Sequence, residues 1–503
     1  MIGTSVMMPT LATPEGMPEE DSELLNQCLE SWSRHRTKNV LRNAYYAGDQ
    51  LLSNLNIAVP DVLAHQIGPV VNWPKKVVHS LSHRVVFEGF TYDGEEDRDP
   101  YGLHAVMDST EFLLEVKQGV ISSMIHGVSF MSITDGDMSA GDPDMVVPMV
   151  HSGDMSGAVW SRRRRRLDAF VAVAALDNFG APSELRFFTT ETIYKLEKPE
   201  RDKAWVISSA APHGISRIPV EPLRYQPELA APLGQSRVSK AVRDITDRAV
   251  RTVLRSEITS EIYSGPNIAI VGADEETFKD SNGQPIPAWK FSLSKMLEIP
   301  LNELDEKPDL KQLQQATMQP HHEMLRMQAE QLSSETNVPI SSLGIVQENP
   351  SSAQAIYAAK EDLVIEAADA IVVYKRALEN AAHLILEMRD GSSPESDRIQ
   401  GKFKNPATPS IVSTSDAMVK QIGAIPWLAE TDVALEELGY TPQQIQRLLT
   451  QKKRLEGEGR LQSLLERAGQ RQQGSGDPDT SNDPRARLEM NAARIESNDG
   501  LDS

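Results

Sequence analysis

SRVSKAVRDITDRAVRTVLRSEITSEIYSGP, Ser236 to Pro266, is the stretch from which the fold can be worked outward. Its apolar residues Val238, Ala241, Val242, Ile245, Ala249, Val253, Leu254, Ile258 and Ile262 recur at steps of three and four, the period of a helix. Gly265-Pro266 then stops it. Residues 236–263 at ~1.5 Å each make a rod of ~42 Å, with apolar positions on more than one side that call for burial beyond a single partner. Six basic residues (Arg237, Lys240, Arg243, Arg248, Arg251 and Arg255) stand against four acids. Lys240/Asp244, Arg243/Asp247 and Asp247/Arg251 are spaced to pair along the helix.

Downstream, Pro266 to Asp309 is a loop-rich insert with nine acids against four lysines from Gly272 on, and Asn282-Gly283 reads as a hairpin turn. A second helix is expected over Leu310–Thr336, kinked or restarted at Pro320. After the turn segment VPISSLGIVQENPSS comes the longest helix, Ala353–Asp390, opened by the Ser351/Gln354 capping box and stopped by Gly391. A short strand, DRIQGKFKNP, precedes a last helical block from Ser415 to about Gln470.

Upstream, a helix runs from Ser22 to Tyr46. From Val85 to Tyr225 short β-prone runs (VVFEGFTY, VSFMSITDGD, MVVPMV, DAFVAVAAL, LRFFTTETIYKL, KAWVISS) are separated by turn formers, with one helix embedded at Tyr101–His126. The class is therefore α+β, mostly helical. Residues 1–21 read as a flexible leader, and 471–503 as a disordered tail.

Composition narrows the function. With 503 residues, 40% apolar and 24% charged, the chain can build a core without staples. Its single cysteine, Cys28, excludes an internal disulfide. No apolar run approaches the ~20 residues of a membrane span, and the N-terminus lacks the pattern of a secretory signal. A net charge of −21 is the opposite of a protein that grips phosphates. No G-x-x-x-x-G-K-[ST], G-x-S-x-G, H-E-x-x-H or C-x-x-C occurs. His79 and His83 have zinc-ligand spacing but no Glu beside His79 and no third ligand, so a helix surface is the better reading. His321 and His322 diverge by ~100° and cannot chelate together. No cofactor is called for, and enzyme is the weaker hypothesis. The run Arg162–Arg166 reads either as a phosphate contact or as an exposed hairpin shoulder or inter-subunit patch. The second is favoured, since no aromatic residue interleaves with it.

Six segments in order resemble the portal proteins of tailed bacteriophages, in the family of the Bacillus phage SPP1 portal. They are YYAGDQLL (45–52), NWPKKVVHSLSHRVVFEGF (72–90), MIHGVSFMSITDGD (124–137), IPVEPLRYQPELAAPLGQSRVSKAVRDITDRAV (218–250), TNVPISSLGIVQENPSSAQAIYAAKEDL (336–363) and STSDAMVKQIGAIPWLAETDVALEELGYTPQQIQRLL (413–449). The resemblance implies a wing over 22–235, stem helices over 236–265 and 310–337 and a clip over 266–309. It further implies a tunnel loop over 338–352, the long helix and a wing strand over 353–414, and a crown over 415–470. It implies a ring of about twelve copies at one vertex of the virion capsid, made in the host cytoplasm, through which double-stranded DNA is packaged and ejected. Partners would be the large terminase ATPase, the head-to-tail adaptor, and the major capsid and scaffolding proteins, with no membrane. Ser341, Ser342, Leu343, Gln347, Glu348 and Asn349 would line the DNA channel. Lys240, Arg243, Arg248, Arg251 and Arg255 would face the channel or a neighbouring subunit. Asp274, Glu275, Glu276, Lys279 and Asp280 would carry clip docking. The competing readings are a hydrolase or nuclease without a recognisable motif, and a helical scaffold or adaptor.

Overall fold

Helix α1, Glu19–Ala47, opens with Glu19, Glu20 and Asp21, which suit the positive end of the helix dipole, and closes at the left-handed Gly48. The computed structural model to which it belongs describes residues 14–50, 68–92, 99–136, 146–198, 204–263, 268–274, 278–279, 283–285, 307–312, 317–345, 353–395, 398–407, 411–431, 434–435, 438–440, 444–455 and 457. They fall in two compact units, one ending at Ala407 and one starting at Thr408. Of the leader expected over residues 1–21, Glu19 to Asp21 are helical and Met17 is buried beside the first turn of α1, while residues 1–13 lie outside the described part.

In the first unit, five strands form an antiparallel meander: β4 (Ser156–Ser161), β5 (Arg166–Leu176), β6 (Pro182–Phe188), β7 (Thr192–Glu197) and β8 (Val206–Pro212). The run DAFVAVAAL is apolar at successive positions because both its faces are covered. Ala169, Val171 and Val173 pack with Leu25, Cys28, Leu29 and Trp32 of α1. Phe170 and Ala172 turn the other way, onto Phe130, Ile218 and Val220. Phe130 and Val220 belong to a three-stranded sheet in which β2 (Val128–Asp135) lies between β3 (Val146–His151) and β9 (Val220–Arg224). β4 and β9 were not among the expected strands. One is rich in Ser, Gly and Ala and the other holds Pro222, so neither shows the β-branched signal.

The helix expected over Tyr101–His126 is two, Leu103–Ser109 (α3) and Phe112–His126 (α4), following Trp73–Ser82 (α2) and strand Phe87–Tyr92 (β1). Glu111 adopts a left-handed φ of 51° between them, and the hydroxyls of Ser109 and Thr110 bond back to the Val106 carbonyl, competing with the helical ladder. The long helix Ala353–Asp390 (α7) keeps the bounds read from sequence. Its alanines at 367, 370, 377, 381 and 382 are buried and let it lie close against the three-stranded sheet and α2, with Tyr374 Oη 2.7 Å from Ser123 Oγ of α4. Strand Ile399–Phe403 (β12) returns to pair with β1.

The rod read over 236–263 is helical from Lys240 to Tyr263 (α5). The second helix, expected from Leu310, begins at Gln319 (α6, Gln319–Thr336) with Pro320 in its first turn, where proline's missing donor costs nothing. Residues Asp309–Gln312 instead form a strand (β11) paired with Ile268–Val271 (β10), which closes the insert at its base. The second unit holds a helix Ile411–Ala424 (α8), a short 3₁₀ turn Pro426–Glu430 and helical residues 444–455. The tail expected over 471–503 lies outside the described residues.

Gly157 of β4 is where α1 comes closest to the sheet: a Cβ there would lie 2.1 Å from the Cys28 carbonyl oxygen. Gly157→Ala should cost about 1–3 kcal/mol by overpacking, read as a lower midpoint in thermal unfolding. Gly423→Ala on α8, where a Cβ meets nothing within 4 Å, should not lower it.

Candidate functional site

α5 and α6 run antiparallel. Val242, Ile245 and Ala249 on one meet Ala329 and Leu332 on the other, with Trp73 and Val77 of α2 completing the core. A buried polar contact fixes their register, since Gln328 Nε2 donates to Thr252 Oγ1 at 3.0 Å. The rod, expected to need burial beyond a single partner, finds it within the chain, in α2 as well as α6. Val238, Val242, Ile245, Ala249, Val250 and Leu254 are all buried within the chain itself.

At the start of α5 the chain passes through a tightly bonded junction. Gln235 N–H donates to the Tyr225 carbonyl (2.8 Å), Arg237 N–H to the Met124 carbonyl (2.8 Å), and Ser236 Oγ to the Ile125 carbonyl (2.5 Å). Gly234, at φ 91°, would bring a Cβ to 2.3 Å from the Gly127 carbonyl oxygen, so no other residue fits there. This junction buries the Arg237 side chain and points its guanidinium at four elements. Nε donates to the Val77 carbonyl of α2 (3.0 Å), Nη1 to Tyr225 Oη (2.8 Å) and to Glu366 Oε1 of α7, and Nη2 to the Thr336 carbonyl at the end of α6 (2.7 Å). Tyr225 Oη donates to the same Glu366 oxygen at 2.5 Å. Burial is the main influence that pushes the Tyr225 hydroxyl above its ordinary range. Glu366 Oε2 accepts from Asn337 Nδ2 at 3.3 Å, at the first residue after α6. The cluster therefore clamps both ends of the hairpin and the root of the following segment onto the long helix. Sequence reading missed it: Arg237, Tyr225 and Glu366 are far apart in the chain, and each alone reads as a surface residue.

Of the channel candidates, Ser341 is exposed, Ser342 is half-buried and Leu343 is buried. Leu343 is thereby corrected, since it lies in the core of Trp73, Val242 and Leu332 with Ile340 and Ile345 packed alongside, and it anchors the segment. Gln347, Glu348 and Asn349 lie outside the described residues. Beside the root of this segment is an open cleft of about 560 Å³ lined by Gln226, Glu335, Asn337, Asp362, Ile365, Glu366 and Asp369, which is strongly acidic.

Of the basic positions on α5, Lys240 and Arg248 are exposed, while Arg243, Arg251 and Arg255 are half-buried. The Arg243–Asp247 pair expected from spacing is replaced. Asp247 Oδ2 accepts from Tyr45 Oη at 2.8 Å, and the Arg243 guanidinium sits 5.9 Å from the Tyr45 ring centre. Within the clip, Asp274 is half-buried and Lys279 makes a bridge to Pro285, while Glu275, Glu276 and Asp280 lie outside the described residues.

A second cleft, about 290 Å³, is lined by His126, Ser122, Ser152, Asn43 and Asp154 among others. His126 Nε2 pairs with Asn43 Oδ1 at 2.8 Å and its Nδ1 with Ser122 Oγ at 3.2 Å, and burial pushes the imidazole below its usual range. With both ring nitrogens engaged, the cluster ties α1 to α4. His79 stands 5.4 Å from His83, ring to ring, and its Nε2 is 2.9 Å from the Tyr46 hydroxyl. Among the described residues no group of three or more His, Cys, Asp or Glu is placed to hold a metal ion, and no helix is long and apolar enough to cross a membrane.

The first unit is thus an α+β body that carries an antiparallel helical hairpin, an insert closed at its base by β10 and β11, and a long backing helix. Residues 25–455 match the family model described as phage portal protein, SPP1 Gp6-like, and the chain belongs to that family. Similar proteins include the portal protein of Mycobacterium phage D29, 24% identical over 409 residues (79% of this chain, 81% of that protein). The portal protein of Mycobacterium phage L5 is 25% identical over 440 residues (85% and 87%). Among solved structures, a chain from the neck of a native GTA particle computed with C12 symmetry is 13% identical, with 81% of this chain and 99% of that one covered at a TM-score of 0.39. Family membership makes this a structural protein of the phage particle, at the portal vertex of the capsid, and not an enzyme.

Arg237→Leu should destabilise the first unit by about 1–3 kcal/mol, because the Val77 and Thr336 carbonyls lose their buried donor and Glu366 loses its cation. The double variant Arg237→Leu/Glu366→Leu should recover part of that loss. Urea unfolding followed by tryptophan fluorescence, with Trp73 in the adjoining core, reads both.

Proposed function

We propose that the chain closes head to tail into a ring of about twelve copies and that α5 and α6 stand side by side around a channel for double-stranded DNA. The observation that carries this reading is the match of residues 25–455 to the phage portal family. Three physical features support it. A net charge of −21 disfavours a fixed grip on phosphates, which would slow a sliding duplex. The acidic cleft with Glu335, Asp362 and Asp369 beside residues 338–345 adds to that repulsion locally. The hairpin is clamped at its base by Arg237, so load along it passes into α7 and the sheets rather than into a loop.

In this reading residues 338–352 ring the duplex, with Ser341 and Ser342 offering uncharged hydrogen bonds and Leu343 as the anchor behind them. The insert 266–309 projects from the far end of the hairpin and carries the docking surface for the large terminase ATPase and later for the head-to-tail adaptor, as loops on rigid supports commonly do. Capsid and scaffolding proteins would meet the sheet-bearing body. The ring reading predicts a native mass near twelve subunits for the purified chain in analytical ultracentrifugation. A monomer or dimer at micromolar concentration would refute it. Gln347→Arg together with Asn349→Arg should slow or stall packaging while leaving that mass unchanged, since each arginine adds a salt-dependent phosphate contact. Unchanged packaging would remove residues 338–352 from the channel.

A further inference from the structure

The five arginines Arg162–Arg166 occupy the tip of the β4–β5 hairpin, and all five are exposed. Ser161 pairs with Arg166, and Arg165 N–H closes the turn on the Ser161 carbonyl at 2.8 Å. Arg165 takes a left-handed φ of 51°. That position in a tight turn suits glycine or asparagine, so an arginine there is held at a conformational cost. Only Arg164 has an acidic partner, Asp168 at 3.3 Å; the other four guanidiniums have none among the described residues. Trp160, beside the turn on β4, is covered by the half-buried Arg224, whose guanidinium lies 4.9 Å from its ring centre. In a chain of net charge −21 this is a concentrated patch of the opposite sign.

The composition of the tip separates the partners it could take. A protein interface needs apolar or aromatic anchors at its centre, ringed by polar groups. Residues 162–166 supply only guanidiniums. They have no Asn or Gln to read base edges and no aromatic ring to stack on an unpaired base. What remains is bidentate recognition of closely spaced phosphates. We propose that the Arg162–Arg166 turn is a sequence-independent binding site for the phosphodiester backbone of duplex DNA, separate from α5, α6 and residues 338–352. The inference does not depend on the ring, because each copy carries the whole site.

The test uses the full-length chain and a fluorescently labelled, covalently closed DNA minicircle, which cannot thread a ring. Binding is followed by anisotropy from about 50 to about 200 mM salt. The variant Arg162→Ser/Arg163→Ser/Arg165→Ser/Arg166→Ser retains Arg164 with Asp168. It should bind at least about tenfold more weakly at the low-salt end, with the log–log salt slope shallower by up to ~3.6, at ~0.9 per phosphate contact. Two minicircles of unrelated sequence should bind alike, and the same four positions changed to lysine should keep most of the slope, as point charges do. Circular dichroism melting shows that the serine variant is folded, and ultracentrifugation reads its mass. No binding by the unaltered chain, or an unchanged slope in the serine variant, overturns the site. So does loss of assembly by that variant, which would make the run an inter-subunit contact. Displacement of the minicircle by poly-L-glutamate as readily as by unlabelled DNA of equal charge would assign the run to an acidic protein surface instead, and overturns it as well.

Discussion

The helical hairpin, α2, α7 and the end of β9 meet at one ion pair, a buried Arg237 guanidinium with the half-buried Glu366 carboxylate. Taking a guanidinium and a carboxylate out of water is costly, and such a pair persists only when its remaining donors and acceptors are also satisfied. Here they are. The guanidinium reaches two backbone carbonyls and the Tyr225 hydroxyl, and the carboxylate accepts from Tyr225 and Asn337. Because the Thr336 carbonyl is an open end of α6, a cation there also suits the negative pole of that helix. Helix α2, the strand that ends near Tyr225, the helical hairpin and the long helix are thus held at one point. Their relative placement is set by charge geometry as much as by apolar packing.

Around that point the packing falls into separate compartments, with different consequences for motion. The core of α1 and the five-stranded sheet is shut by large side chains, Trp32 and Phe187 among them, and by the close approach at Gly157. The hairpin core is built from smaller residues, Ala249, Ala329, Val242 and Leu332. Small residues allow the two helices to approach closely, and the buried Gln328–Thr252 bond then fixes their register. The anchored leucine at 343 holds one part of the adjoining segment down while Ser341 remains in solvent. That division separates a structural role from a surface role within three residues.

Charge is distributed on the same principle of separation. Acids line the cleft beside the hairpin root, Arg243 of α5 is turned onto Tyr45, and five arginines are collected at the tip of the β4–β5 hairpin. A protein with scattered charges would present a uniform weak field. This chain presents repulsion in one place and a concentrated cation in another, within a net charge of −21.

Much of this was legible in the amino-acid order. The bounds of α7, the helical rod of α5, the strand runs from Val85 to Trp205 and the order of segments that marks the portal family are all local signals. Periodicity, capping residues and turn formers act over a few residues, so they survive in one dimension. The signals failed where local rules compete. Residues 309–312 pair with a distant strand where a helix was expected, and Ser109 with Thr110 breaks a helix that periodicity alone extends, whereas Pro320 took the restart open to it. The site itself was decided only by tertiary structure. Nothing local distinguishes Arg237 from Arg248, or Leu343 from a channel-lining residue. What buries one and exposes the other is the convergence of elements a hundred residues apart, and a buried charge is tolerated only where that convergence brings its partners with it.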